Sequence, residues 1–188
     1  MNREDWLHAL AGRLGDDFTA AGKVIPAKLS ISVGFPSRGA TSARQHRIGE
    51  CWNGDASKDG TVHIFISPVI ADSARAGDVL VHELCHAVLP KGTKHNRTFA
   101  ALARTMGLEG KPTATTASAS LLCRLNGYIN DIGVYPHSGL IVARPEKPQG
   151  TRLLKVACDC GYTVRITRQW LDAGIPICPI CDVEMGEC

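Results

Sequence analysis

Residues 78–89 read DVLVHELCHAVL, and His82-Glu83-Leu84-Cys85-His86 within them governs how the rest of the chain is understood. Val79, Leu80, Leu84, Ala87 and Val88 recur at helical spacing, and Pro90, which has no amide hydrogen, closes the run. On a helix, side chains four positions apart lie about 40° out of register and one turn apart, so the His82 and His86 imidazoles share a face and can share one ion. Zinc accepts such nitrogens at about 2.0–2.1 Å, and a catalytic zinc takes three protein ligands and leaves a fourth position to water. Glu83 follows the first histidine, so its carboxylate can reach that water as a general base without being a ligand. Cys85 packs as a small hydrophobe. The third donor comes from further along. Lys91-Gly92-Thr93-Lys94 folds the chain back beyond Pro90 and delivers His95, nine residues after His86. His95 is the expected third ligand, with Glu109 as the acidic alternative. His8, His46, His63 and His137 have no comparable spacing and read as surface or structural residues.

Upstream of this helix, Trp6, Leu7, Leu10, Leu14 and Phe18 mark an amphipathic helix over residues 4–18 that Asn2 can cap. Residues 28–35 (KLSISVGF) and 61–67 (TVHIFIS) alternate apolar with smaller or polar residues, as strands do. A weaker extended stretch over 48–52 leads into NGDASKDG, whose composition suits a hairpin turn. Downstream, Asn96 can cap a helix through Phe99, Leu102 and Met106 that stops at Gly107 or Gly110, with Phe99 in its core face. Residues 112–120 (PTATTASAS) are low in complexity and read as a linker before a short helix carrying Leu121, Leu122, Leu125 and Ile129. Tyr135-Pro136-His137 reads as a turn, and RPEKPQG over 144–150 as a second soft segment. The predicted class is α+β, a small antiparallel sheet with packing helices and the HExxH helix. Residues 1–111 form the main domain, 112–150 a linker with a short helix, and 151–188 a cysteine module.

At residues 82–107 the sequence HELCHAVLPKGTKHNRTFAALARTMG resembles the SprT-like metalloproteases, the family that includes the Spartan proteases acting on DNA-bound proteins. In that family HExxH is followed by a loop, a histidine often within Gly-His-Gly, and a phenylalanine four residues later. His95 and Phe99 match, while Lys94 and Asn96 stand where the glycines would be. The resemblance covers most of residues 1–110. It implies a zincin-like minimal metalloprotease domain with His82, His86 and His95 on a catalytic Zn2+ and Glu83 as base. It also implies that the strand over 61–67 is the sheet edge along which a protein substrate lies.

The last 38 residues carry Cys158-x-Cys160 and Cys178-x-x-Cys181, separated by seventeen positions. Four thiolates from two turns close a tetrahedral shell with no open corner, the arrangement of a structural Zn2+. A segment this short buries too little surface to fold alone, and metal binding worth about 10–16 kcal/mol in comparable peptides supplies the deficit. Because the first pair is C-x-C rather than the commoner C-x-x-C, Cys188 is the alternative ligand. SprT-like proteins frequently carry a C-terminal zinc ribbon, and this segment resembles one. Arg144, Lys147, Arg152, Lys155, Arg165 and Arg168 against Glu146 and Asp159 leave a local excess of four positive charges. Arg152, Lys155, Arg165 and Arg168 are the candidate nucleic-acid contacts, with DNA or nucleoprotein as the partner; a solvated basic face is the alternative, since no stacking aromatic array accompanies them. Trp170 and Tyr162 read as packing residues.

The whole chain, 188 residues with 44% hydrophobic and 21% charged side chains, has an ordinary globular composition. No apolar run approaches the roughly 20 residues a bilayer crossing needs, and the first residues mix acids and bases without a secretory pattern, so a cytoplasmic location is expected. Eight cysteines in that setting are metal ligands or buried thiols rather than disulfides. A net charge of +3 is too small to indicate a nucleic-acid binder by itself. The residues point to a hydrolase, a zinc-dependent metalloendopeptidase. The rival is a zinc-ribbon nucleic-acid-binding or transcription-regulatory protein without protease activity. A hydrolase acting on a non-protein amide would share every one of these ligands.

Overall fold

The computed structural model describes residues 1–41, 47–142 and 153–187. Of the residues singled out above, His46, Arg144, Glu146, Lys147, Arg152 and Cys188 lie outside them. The chain divides into two units, Met1–Val142 and Ala143–Cys188. Its class is α+β, with five helices and three small sheets among the described residues. No helix of the described residues is long and apolar enough to cross a membrane.

In the first unit, helix α1 (Arg3–Ala20) starts on a capping box: the Asn2 side chain accepts from the Asp5 amide at 2.7 Å, and the Asp5 carboxylate accepts from the Asn2 amide at 3.4 Å. Its apolar face, Trp6, Leu7, Leu10, Leu14 and Phe18, is buried. The Trp6 indole donates to the Gly133 carbonyl at 2.7 Å, tying α1 to a turn far away in sequence. Strands β1 (Leu29–Val33), β2 (Gly49–Trp52) and β3 (Val62–Ile66) form one sheet in the order β1-β3-β2. β3 pairs antiparallel with β2 but parallel with β1, so the sheet is mixed rather than purely antiparallel. Alternation reports which face of a strand is buried and is silent on the direction of its neighbours. The same topology corrects the expected edge. β3 is the central strand, hydrogen-bonded on both sides, and β1 and β2 are the two edge strands.

Helix α2 (Ser73–Ala87) contacts β2 and β3 and begins earlier than the apolar periodicity suggests, because Asp72 caps it by accepting from the Arg75 amide at 2.7 Å. Helix α3 (Arg97–Thr105) starts on Asn96, whose side chain accepts from the Thr98 and Phe99 amides at 3.0 and 3.2 Å. The stretch expected to be a linker is structured through residue 132. Ala114–Ala117 (β5) pairs antiparallel with Leu108–Lys111 (β4), and helix α4 (Ala119–Ile132) packs on α1 and α2 with Leu121 and Leu125 fully buried. Small hydroxyl-bearing residues look featureless in sequence, yet they supply a backbone ladder and, in Ser118, a cap that accepts from the Leu121 amide at 3.3 Å. One continuous core runs from Trp6 to Tyr135.

The second unit is a three-stranded sheet of β6 (Leu154–Ala157), β7 (Thr163–Ile166) and β8 (Gly186–Glu187), in the order β7-β6-β8, with a short helix α5 (Arg168–Ala173). Its buried core is Val156, Cys158, Cys178 and Met185. Trp170 is 63% exposed and Tyr162 38%, so neither is the packing residue it was expected to be. In so small a unit the sulfur cluster and a few aliphatic side chains occupy the whole interior.

Candidate metal centres

Helix α2 places His82 above His86, and the loop after Pro90 returns the chain so that His95 faces both. His95 Nε2 lies 3.2 Å from His82 Nε2 and 3.2 Å from His86 Nε2. The three donor atoms fall within 4.8 Å of one another. Two nitrogens each about 2.0–2.1 Å from one ion at a tetrahedral angle lie about 3.3 Å apart, so this spacing fits ligands of a shared cation. Burial, the neighbouring imidazoles and the Arg75 charge push His82 down to about 3, while burial, His95 and Arg47 push His86 down to about 4. Burial and Arg47 also lower His95. All three are therefore neutral at pH 7, the form that binds metal. Phe99, fully buried, is the floor of the cluster: its ring stacks on His86 with centroids 4.2 Å apart and lies 4.9 Å from both His82 and His95. Lys94, next to His95, adopts φ 45°, a conformation in which glycine is at ease and other residues lose about 1 kcal/mol or more. Lys94→Gly is accordingly expected to raise the melting temperature by a few degrees, read by calorimetry, with the metal content unchanged.

Glu83 is 6% exposed and stands outside the ligand cluster. Burial pushes its carboxyl up to about 8, with Arg47 opposing and Glu50 adding to the shift. Among the described residues it has no hydrogen-bond partner. Strand β2 crosses directly over it. A Cβ added at Gly49 would fall 2.4 Å from Glu83 Oε1 and 2.8 Å from Val79 Cγ1, so only glycine lets β2 approach the carboxylate this closely. Cys51 and Cys85 flank the same region; burial, with the Glu83 charge adding, pushes both thiols up to about 12, which keeps them protonated and inert.

Two contacts here had no signal in the sequence: Gly49 against Glu83, and the Thr115 hydroxyl 2.8 Å from His82 Nδ1. Neither follows from spacing, because both depend on how distant strands pack against α2. Glu109, on β4, takes no part in the cluster. Tyr135-Pro136-His137 is packed away from it: Tyr135 is 4% exposed with its ring 4.9 Å from Trp6, and His137 Nε2 lies 2.9 Å from the Pro68 carbonyl.

In the second unit the Sγ atoms of Cys158, Cys160, Cys178 and Cys181 lie within 4.8 Å of one another, with Cys160 and Cys178 3.6 Å apart. That is far beyond the roughly 2.05 Å of a disulfide and close to the roughly 3.8 Å between two thiolates on one tetrahedral ion. The C-x-C pair fits because the chain turns tightly there. Gly161, at φ 91°, donates to the Cys158 carbonyl at 2.8 Å, and Cys158 donates to the Tyr162 carbonyl at 2.9 Å. Burial acts to raise the Cys178 thiol, but backbone donors at Ile180 and Cys181, with the neighbouring thiols, hold it down to about 7. Of the candidate nucleic-acid contacts, Lys155 and Arg165 sit directly opposite each other on β6 and β7, and neither has an ion-pair partner among the described residues. Arg168 is held by Glu187 through bonds of 2.9 and 2.6 Å. Both donor sets could hold a metal ion, one of three imidazole nitrogens and one of four thiol sulfurs. Compared with known proteins, the chain matches no family model, no curated protein and no solved structure.

Proposed function

We propose that the first unit is a zinc metalloendopeptidase and that the second is a zinc ribbon. The observation that carries this is the convergence of His82, His86 and His95 at ligand spacing, with a buried, non-ligating Glu83 on the same helix. Imidazole triads and four-cysteine sets are both donor sets that zinc favours. Zinc held by the three imidazoles would polarise a carbonyl and lower the pKa of a water in the cleft. The chain's own residues supply the rest. Glu83 takes the proton from the attacking water and returns it to the leaving amine nitrogen. Its burial suits a group that must accept a proton, hold it and give it up.

Substrate reaches this carboxylate along β2. With both sides of β3 occupied and the Ile31 and Val33 amides of β1 donating to His8 and Glu4 of α1, the edge of β2 is the place where an extended peptide can add as a further strand. Gly49 sits on that edge against Glu83, so the added peptide passes beside the base. The likeness of residues 82–107 to SprT-like proteases, and of the tail to their zinc ribbons, supports this reading and extends it to proteins on DNA. Gly49→Ala should move Glu83 out of place while leaving the three imidazoles alone. The turnover number should fall at least about tenfold, zinc content at the histidines should not change, and stability should drop by about 1–3 kcal/mol from the overpacked Val79 contact. Steady-state cleavage, metal analysis and denaturant melts check the three separately.

The direct test is incubation of the zinc-loaded chain with an unfolded protein, with and without duplex DNA, followed by mass spectrometry of the fragments. Cleavage that a chelator stops and added zinc restores supports the enzyme. A second reading rests on Lys155 and Arg165, like charges placed opposite one another, which destabilise a ladder unless an anion lies against them. If zinc-loaded protein cleaves nothing yet binds DNA with strong salt dependence, that reading replaces the first and the protein is a nucleic-acid-binding module.

A further inference from the structure

We infer that Thr115 is a positioning residue for the metal centre, fixing the tautomer and plane of His82, and that Arg75 and Asp78 hold Thr115 in place; this rests on the metal reading of the histidine cluster. Neutral imidazole has one N–H and one acceptor nitrogen. With Nε2 turned into the cluster, Nδ1 carries the hydrogen and donates to Thr115 Oγ1 at 2.8 Å. Thr115 is 9% exposed, so water cannot readily stand in for its hydroxyl.

The backbone around Thr115 is clamped to α2 on both sides. Arg75 Nη1 donates to the Thr115 carbonyl at 3.4 Å and to both Asp78 carboxylate oxygens at 2.8 Å. Asp78 Oδ2 in turn accepts from the Ala117 amide at 3.3 Å. Arg75, Asp78 and His82 lie along one side of the helix, so the ion pair sets how far β5 sits from the ring it orients. Asp78 is 6% exposed, and burying such a pair gains little stability by itself. Its contribution here is registration of β5 against α2. Among the described residues neither His86 nor His95 has a hydrogen bond at its second ring nitrogen, so His82 is the one ligand whose ring is held from behind. The segment that provides this hydroxyl is the Ala/Ser/Thr stretch that has the least pattern in the whole chain.

The test compares full-length wild type with Thr115→Val, which keeps the shape and removes the hydroxyl, and Thr115→Ser, which restores the hydroxyl. Zinc affinity at the histidine centre is measured by competition with a chromophoric chelator, and the centre is also loaded with cobalt(II) for its visible absorption. The sulfur site, with its own thiolate-to-cobalt bands, serves as an internal control. Thr115→Val should weaken zinc at the histidines about 10–100-fold and alter the cobalt spectrum of that centre, with Thr115→Ser close to wild type and the thiolate bands unchanged. Should valine not be accommodated, Thr115→Ala is expected to give the same loss. Affinity within twofold of wild type in a folded Thr115→Val or Thr115→Ala variant, with the spectrum unaltered, overturns the positioning role. Wild type that takes up a single ion, at sulfur only, overturns the histidine centre itself.

Discussion

Glu83→Gln is expected to keep its zinc and lose its catalysis. Glutamine has nearly the same shape, and Glu83 lies outside the cluster of ligand nitrogens, so nothing that holds the ion is removed. A neutral amide accepts no proton from water, and loss of a positioned general base costs roughly 10²–10⁴ in rate. Folding should not suffer, since burial already disfavours the charged carboxylate and the side chain has no hydrogen-bond partner among the described residues to forfeit. Metal analysis, melting curves and single-turnover cleavage together read the outcome. A purified variant that cleaves at more than a tenth of the wild-type rate would show that some other group takes the proton.

The second large effect is expected from stripping both metals with a strong chelator: the second unit should unfold while the first stays folded. Among the described residues of the second unit, 153–187, the buried core is Val156, Cys158, Cys178 and Met185, so half of it is candidate ligand. Around it Ile180 is 71% exposed and Ile177 61%, which leaves little apolar burial to hold the strands. Four uncoordinated thiols packed together would contribute almost nothing, whereas coordination is worth about 10–16 kcal/mol in comparable peptides. The first unit has its own core from Trp6 to Tyr135 and needs no ion to keep it. Two-dimensional NMR of the labelled protein, before and after chelation, should show the amide signals of residues 153–187 collapse to the unfolded range. Dispersed signals from that segment after complete metal removal would mean that its fold is independent of the ion.

What could be read from the residues alone was local. His82 and His86 share a face because a helix has 3.6 residues per turn, and Asn2 and Asn96 cap because their amides sit beside the first free backbone donors. Periodicity likewise found the buried sides of α1, β1 and β3. It could not find that β1 runs parallel to β3, since both directions bury the same face, and so it could not reveal that β3 is central with β1 and β2 at the edges. Residues 112–120 lack large apolar side chains, and their contribution is made by backbone pairing and the hydroxyls of Thr115 and Ser118, neither of which leaves a hydrophobic pattern. Gly49 carries no mark of its own either; its importance comes from what lies opposite. Arg168 looks as free as Lys155 in one dimension, and the return of the chain at Glu187 is what occupies it.

The contact between His82 and Thr115 bears on when the centre becomes competent. A ribosome delivers all three histidines by residue 95, but the oxygen behind His82 arrives twenty residues later, and the helix that seals the core on α2 only by residue 132. A chain ending before Thr115 would thus hold His82, His86 and His95 without the hydroxyl behind His82, so metal affinity at the proposed centre is expected to rise only once β5 and α4 have been made.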